Sequence, residues 1–93
     1  MLEVIGDTFD VLVDGVRVEP PLTINQWRLV EHLDKNRGKV IERYDLMQVI
    51  WPDANLGYIT DEALDAIVRR TRRKIGMNNI KTRRGIGYYI PKG

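Results

Sequence analysis

Arg69, Arg70, Arg72, Arg73 and Lys74 place five cations in six consecutive residues, and Lys81, Arg83 and Arg84 follow shortly after. Such crowding is tolerable only where solvent or an anion relieves the repulsion. Arginine adds a planar fork of donors that matches two phosphate oxygens, or the O6/N7 edge of guanine. From Ala66 onward there is no Asp or Glu, yet nine of the fifteen Lys and Arg residues lie there. All thirteen carboxylates precede that point, so the net charge of +2 hides a dipolar chain. A solvated helix face is the plain alternative, since cations are favoured near a helix C-terminus. Two clusters of one sign without an acidic neighbour favour contact with a nucleic acid instead.

Other chemistries find little support. There is no cysteine, and hence no disulfide, thiolate metal site or thiol nucleophile, which fits a reducing compartment. No phosphate-binding glycine loop, zinc-binding His pair or G-x-S-x-G elbow occurs, so no catalytic residue, metal or cofactor is expected. The carboxylates fall mostly in turns or at helix starts, where solvation or capping explains them. His32, the one histidine, has no motif partner and reads as a surface or boundary residue. At 43% apolar and 30% charged, 93 residues make one globular domain. With no apolar run of membrane-spanning length and no signal-peptide layout, a cytoplasmic protein without membrane contact is expected.

The elements that must position these cations follow from patterning. Residues 1–20 read as an antiparallel sheet. Leu2 to Ile5 is one strand, and Thr8 to Val13 is another, with Phe9, Val11 and Val13 on one face. Val16 to Val18 returns through the Asp14-Gly15 turn. Pro20-Pro21 ends strand pairing. Thr23 and Gln26 have capping-box spacing, and Leu22 and Trp27 that of a hydrophobic staple. They open a first helix that buries Ile24, Trp27, Leu29, Val30 and Leu33 and stops at Asn36 to Gly38. Val40-Ile41 suits an edge strand. A second helix, Arg43 to Ile50, buries Leu46, Met47, Val49 and Ile50 and closes at Trp51-Pro52. Thr60 caps a third helix that ends at Gly76, with Leu64, Ile67, Val68, Thr71 and Ile75 inward. On that helix Ala66, Arg69 and Arg73 point away from the apolar stripe, with Asp65, Arg70 and Arg72 on its flanks. Two short strands, Ile80 to Arg83 and Tyr88 to Ile90, finish the chain across Arg84-Gly85-Ile86-Gly87. Trp51, Trp27, Tyr44, Tyr88 and Phe9 are expected in the core, with Tyr88 anchoring the last hairpin.

Four stretches, in order, resemble the winged-helix DNA-binding domain of OmpR/PhoB-type response regulators. Leu22-Thr23 through Trp27-Arg28-Leu29-Val30 is similar to the family's L-T-x-x-E-F-x-L-L. Gly38-Lys39-Val40-Ile41 with Arg43, Leu46 and Trp51 resembles G-x-V-V-S-R-x-x-L and the closing V-W. Leu64-Asp65-Ala66-Ile67-Val68 with Arg72-Arg73-Lys74-Ile75 resembles V-D-V-H-I-x-x-L-R-x-K-L. Arg84-Gly85-Ile86-Gly87-Tyr88 resembles R-G-x-G-Y, the most specific of the four.

The resemblance implies an α+β winged helix-turn-helix over residues 1–93: an N-terminal antiparallel sheet (1–20), a three-helix core (23–76) and a C-terminal β-hairpin wing (79–91). It implies a recognition helix with base-edge contacts at Asp65, Ala66 and Arg70, and phosphate contacts at Arg69, Arg72 and Arg73. The wing would place Arg84 in the minor groove, with Lys81, Thr82 and Arg83 on the backbone. The loop holding Asp53, Asn55 and Tyr58 would touch RNA polymerase. The partner would be double-stranded DNA carrying direct repeats, bound by a tandem homodimer of a bacterial transcription regulator.

Some positions depart from the pattern. Gln26 replaces Glu with its capping role kept, and Glu42 replaces a small hydroxyl residue, weakening the start of the second helix. Thr71 replaces an inward Leu, and Ile67 replaces a frequent His. Glu62 and Ala63 stand where relatives carry Arg and Thr. The 93 residues hold no room for the receiver domain of the family, so the sequence is expected to be either an excised C-terminal module or a regulator without that input. Two competing functions remain: a winged helix that docks on polymerase or another regulator with little DNA affinity, and non-specific binding by the cationic patch alone.

Overall fold

The computed structural model describes residues 1–93 except for the side chain of Leu56. β1 (Leu2–Ile5), β2 (Asp10–Val13) and β3 (Val16–Arg17) form an antiparallel sheet in the order β1-β2-β3. Its β2–β3 turn is Asp14-Gly15, with φ of 52° and 80°, the left-handed pair that matches the twist of a hairpin. α1 (Ile24–Lys35), α2 (Arg43–Ile50) and α3 (Asp61–Ile75) follow, with a 3₁₀ turn at Leu56–Tyr58. β4 (Ile41–Glu42) precedes α2, and β5 (Lys81–Arg83) and β6 (Gly87–Tyr89) close the chain. They form a second antiparallel sheet in the order β4-β6-β5, so the terminal hairpin is tied through β6 to the entrance of α2.

The core lies between the helices and both sheets. Leu29, Val30, Leu33, Leu46, Ile50, Leu64, Val68, Thr71, Ile75 and Ile80 are essentially sealed from solvent. All five inward residues anticipated for α3 are buried. The capping box of α1 is complete: the Gln26 amide donates to Thr23 Oγ1 at 3.2 Å, and the Thr23 amide donates to Gln26 Oε1 at 3.0 Å. Thr71 carries a hydroxyl in the core, but it donates to the Ile67 carbonyl one turn back at 2.7 Å, so no polar group is stranded.

Several sequence expectations need correction. β2 starts at Asp10, not Thr8. Phe9 sits at φ 56°, outside the strand and 52% exposed, with its ring edge-on to Trp27 at 4.8 Å between centroids. Tyr44 is 58% exposed and Ile24 48%, so neither belongs to the core. Ile24 is the first residue of α1, and its side chain stays largely in solvent. Val49 is only half-buried. β4 is shifted by one residue to Ile41–Glu42, and Val18, Ile80 and Ile90 fall outside the strands while remaining buried. Their side chains belong to the core even where their backbones leave the ladder.

Candidate nucleic-acid interface

α3 starts at Thr60, whose Oγ1 accepts from the Ala63 amide at 3.1 Å. Asp61 and Glu62 occupy its first turn and Arg72, Arg73 and Lys74 its last, each sign where the macrodipole favours it. The run of cations divides by direction. Arg69, Arg70 and Arg73 are exposed, and among the described residues none forms an ion pair. Arg72 and Lys74 turn back onto the protein. Arg72 Nε and Nη2 donate to the Ile80 carbonyl at 3.1 and 2.9 Å, and Nη2 also donates to Thr82 Oγ1 at 2.7 Å. Lys74 Nζ donates to the Pro21 carbonyl at 3.0 Å and to Gln26 Oε1 at 2.9 Å, fastening the end of α3 to the start of α1.

The hairpin lies beside α3 because Arg72 reaches its first strand and Asp65 its second. Asp65 Oδ1 accepts from Tyr88 Oη at 2.5 Å and from Arg43 Nη2 at 2.8 Å. The Tyr88 ring packs with the Arg43 and Arg72 guanidiniums, 5.8 and 5.6 Å from its centroid. Burial pushes the Asp65 carboxyl up, but the Tyr88 and Arg43 hydrogen bonds and the Arg43 charge pull it below its ordinary range. The Tyr88 phenol moves up, through burial and its bond to that carboxylate. Arg43 is driven further toward its charged form: burial opposes the charge, but hydrogen bonds to Asp65, Tyr88 and Asp61 outweigh it.

At the hairpin, Lys81 is half-buried while Thr82, Arg83 and Arg84 are exposed. The Ile86 amide donates to the Arg83 carbonyl at 3.0 Å and closes the tip. The Ile86 carbonyl accepts from the Arg43 amide at 3.2 Å, giving a partner to one of the unpaired donors at the start of α2. Gly87 is required by space. A Cβ there would meet the Ile41 carbonyl oxygen at 1.9 Å, so any other residue would force β4 away from β6. Ala66 is half-buried in a shallow groove between α1 and α3 that Arg70 also lines. Between α2 and α3, Asp53, Asn55 and Tyr58 are all exposed, Tyr58 at 84%.

The structure thus brings α3 and the hairpin together and leaves Arg69, Arg70, Arg73, Arg83 and Arg84 outward. Arg72, Asp65 and the Thr82 hydroxyl are engaged within the protein. Arg43 is the residue that sequence reasoning passed over. It stands in one of the four resembling stretches, and that was the only signal for it.

A family model for the C-terminal part of transcriptional regulatory proteins matches residues 17–90. Among solved structures, the chain is similar to the DNA-binding domain of CpxR from Escherichia coli. That match is 27% identical with a TM-score of 0.79, covering 97% of this chain and 89% of the other. It is also similar to the response regulator DrrB, an OmpR/PhoB homolog from Thermotoga maritima, at 26% identity and a TM-score of 0.81. There 97% of this chain is covered but only 41% of DrrB. The Klebsiella pneumoniae RstA DNA-binding domain, solved in complex with the RstA box, matches at 23% identity and a TM-score of 0.79. The match covers 97% of this chain and 90% of that one, and it shows a shared fold.

Proposed function

Because the chain belongs to the family of C-terminal domains of transcriptional regulatory proteins, the OmpR/PhoB-type DNA-binding domains of response regulators, we propose that it binds specific double-stranded DNA sites. α3 enters the major groove and the β5–β6 hairpin the adjacent minor groove. The carrying observation is the outward set of unpaired guanidiniums on two elements that touch: Arg69, Arg70 and Arg73 on α3, Arg83 and Arg84 on the hairpin. Uncompensated charges on adjoining elements suit a partner that is itself a continuous polyanion.

Within this reading Arg70 reads a base edge, since an exposed guanidinium can donate twice to guanine, and Ala66 can touch a thymine methyl. Arg69 and Arg73 contact phosphates and fix register. Arg84 enters the minor groove, where narrow A·T-rich DNA concentrates negative potential, and Lys81, Thr82 and Arg83 serve the flanking backbone. Arg72 contributes mainly by holding the hairpin in place. Bound RstA supports the same partner class for this fold. Two copies bind head to tail on direct repeats. The exposed loop bearing Asp53, Asn55 and Tyr58 faces RNA polymerase, with Tyr58 presenting an exposed ring there.

Selection from random duplexes, read by sequencing, tests the reading. A motif repeated in the same orientation at fixed spacing is the expected result. Binding without enrichment would leave only the charge-driven mode. No binding at low salt would favour a protein-docking module.

A further inference from the structure

Asp65 occupies a position on α3 from which a carboxylate could accept from cytosine. The structure gives it other work. Its Oδ1 accepts hydrogen bonds from two elements at once: from Tyr88 Oη on β6 at 2.5 Å and from Arg43 Nη2 on α2 at 2.8 Å. Arg43 is fixed in turn, with Nε donating to Asp61 Oδ1 and Nη2 to the Asp61 carbonyl, each at 3.2 Å. Tyr88 is 5% exposed, so its hydroxyl points into a part-buried site where losing its acceptor is costly. One carboxylate oxygen therefore joins the recognition helix, the preceding helix and the hairpin.

We infer that Asp65 is a positioning residue: its carboxylate sets the angle between α3 and the wing, and it acts on DNA binding through the wing rather than by reading a base. The hairpin does not depend on Asp65 for its existence. The β4-β6-β5 ladder and the Gly87 packing make it, and Arg72 holds its first strand through Ile80 and Thr82. Asp65 supplies the only side-chain acceptor for the second strand's Tyr88 hydroxyl among the described residues. Loss of it would leave a folded wing held through Arg72 and β4 but with its second strand no longer fastened by a side chain to α3. An ionised carboxylate suits this task, being acceptor-only and able to take both donors on one oxygen.

This inference rests on the DNA-binding reading above. The test uses the domain with Asp65→Ala, Tyr88→Phe and Arg84→Ala, singly and in pairs, against the selected site and its single-base variants. Asp65→Ala and Tyr88→Phe are each expected to weaken binding roughly tenfold, the factor matching about one lost hydrogen bond. The ranking of base variants should stay unchanged, while the preference for A·T-rich sequence beside the half-site fades. Combined with Arg84→Ala, neither should add more than about twofold, because a misplaced wing and a wing without its arginine lose the same contact. Tyr88→Phe keeps the ring that packs with the two guanidiniums, so it carries the test if Asp65→Ala does not fold. A changed preference at one base pair in Asp65→Ala alone, or wild-type affinity in Tyr88→Phe, overturns the inference while DNA binding stands. A wild-type domain that binds no duplex removes both.

Discussion

Arg70 and Arg73 lie on the exposed side of α3, one turn of helix taking them to different parts of a groove. Arg70→Ala should relax preference at one base pair, costing about 1–3 kcal/mol there. Arg73→Ala should weaken every sequence alike, as competition binding against single-base variants would reveal. If both lose equally on all duplexes, Arg70 reads no base. His32 gives a different single-residue expectation. Burial and Lys35 hold its pKa below the ordinary 6.5, with Lys39 adding to them and Glu31 and Asp45 opposing. The folded state therefore takes a proton less readily than the unfolded chain. Stability is full above 6.5 and declines as pH falls through that value toward the folded-state pKa. Melting curves between about pH 7.5 and 5 should slope less in His32→Gln. At this scale the cations were legible by type, but not by destination. Arg72 and Lys74 read like their neighbours until the Ile80 and Pro21 carbonyls, contributed by other elements, are seen to claim them.

Among the elements, α2 has the weakest beginning. Its N-cap, Glu42, makes no side-chain capping bond, although the Ile86 carbonyl relieves one amide. Glu42→Ser should gain about 1 kcal/mol from a cap and lose a few tenths in charge–dipole attraction. The net of about 0.5 kcal/mol would raise the melting temperature by roughly 2–4 °C. An unchanged or lower value would mean that β4 geometry denies the serine its bond. Helix limits were read well because caps and stops are local chemistry: Thr23, Thr60, Asn36 and Gly76 each act within a few residues. The strands were read less well. Two- and three-residue strands carry no periodicity of their own, and partners set their limits. Aromatic type also misled for Phe9 and Tyr44, because a large ring is as useful half-exposed as buried.

For the whole molecule, charge separation decides the solution behaviour. If Arg69, Arg73, Lys81, Arg83 and Arg84 each displace a counterion, log K should fall with log salt at a slope of about −4 to −5 per domain. Titrations at several salt concentrations measure this directly. A slope near −1 would mean that the patch faces solvent in the complex. The order of sheet, helices and hairpin followed from patterning, and the four resembling stretches supplied the arrangement. What patterning could not supply was the pairing of β4 with β6, Ile41 opposite Tyr88. A two-residue strand gives no hint of a partner so distant in sequence. No helix is long and apolar enough to cross a membrane, among the described residues.

Both chain ends border the same cleft. Met1, Leu2, Pro91, Lys92 and Gly93 line one small cleft, Arg37 donates to the Leu2 carbonyl at 2.8 Å, and the Gly38 amide donates to that of Ile90 at 2.8 Å. A linker laid along that cleft would join them, and the Asp14-Gly15 turn offers an exposed place to reopen the backbone. Circular permutants, or a host protein carrying this unit as an inserted cassette, should thus remain within reach of protein engineering.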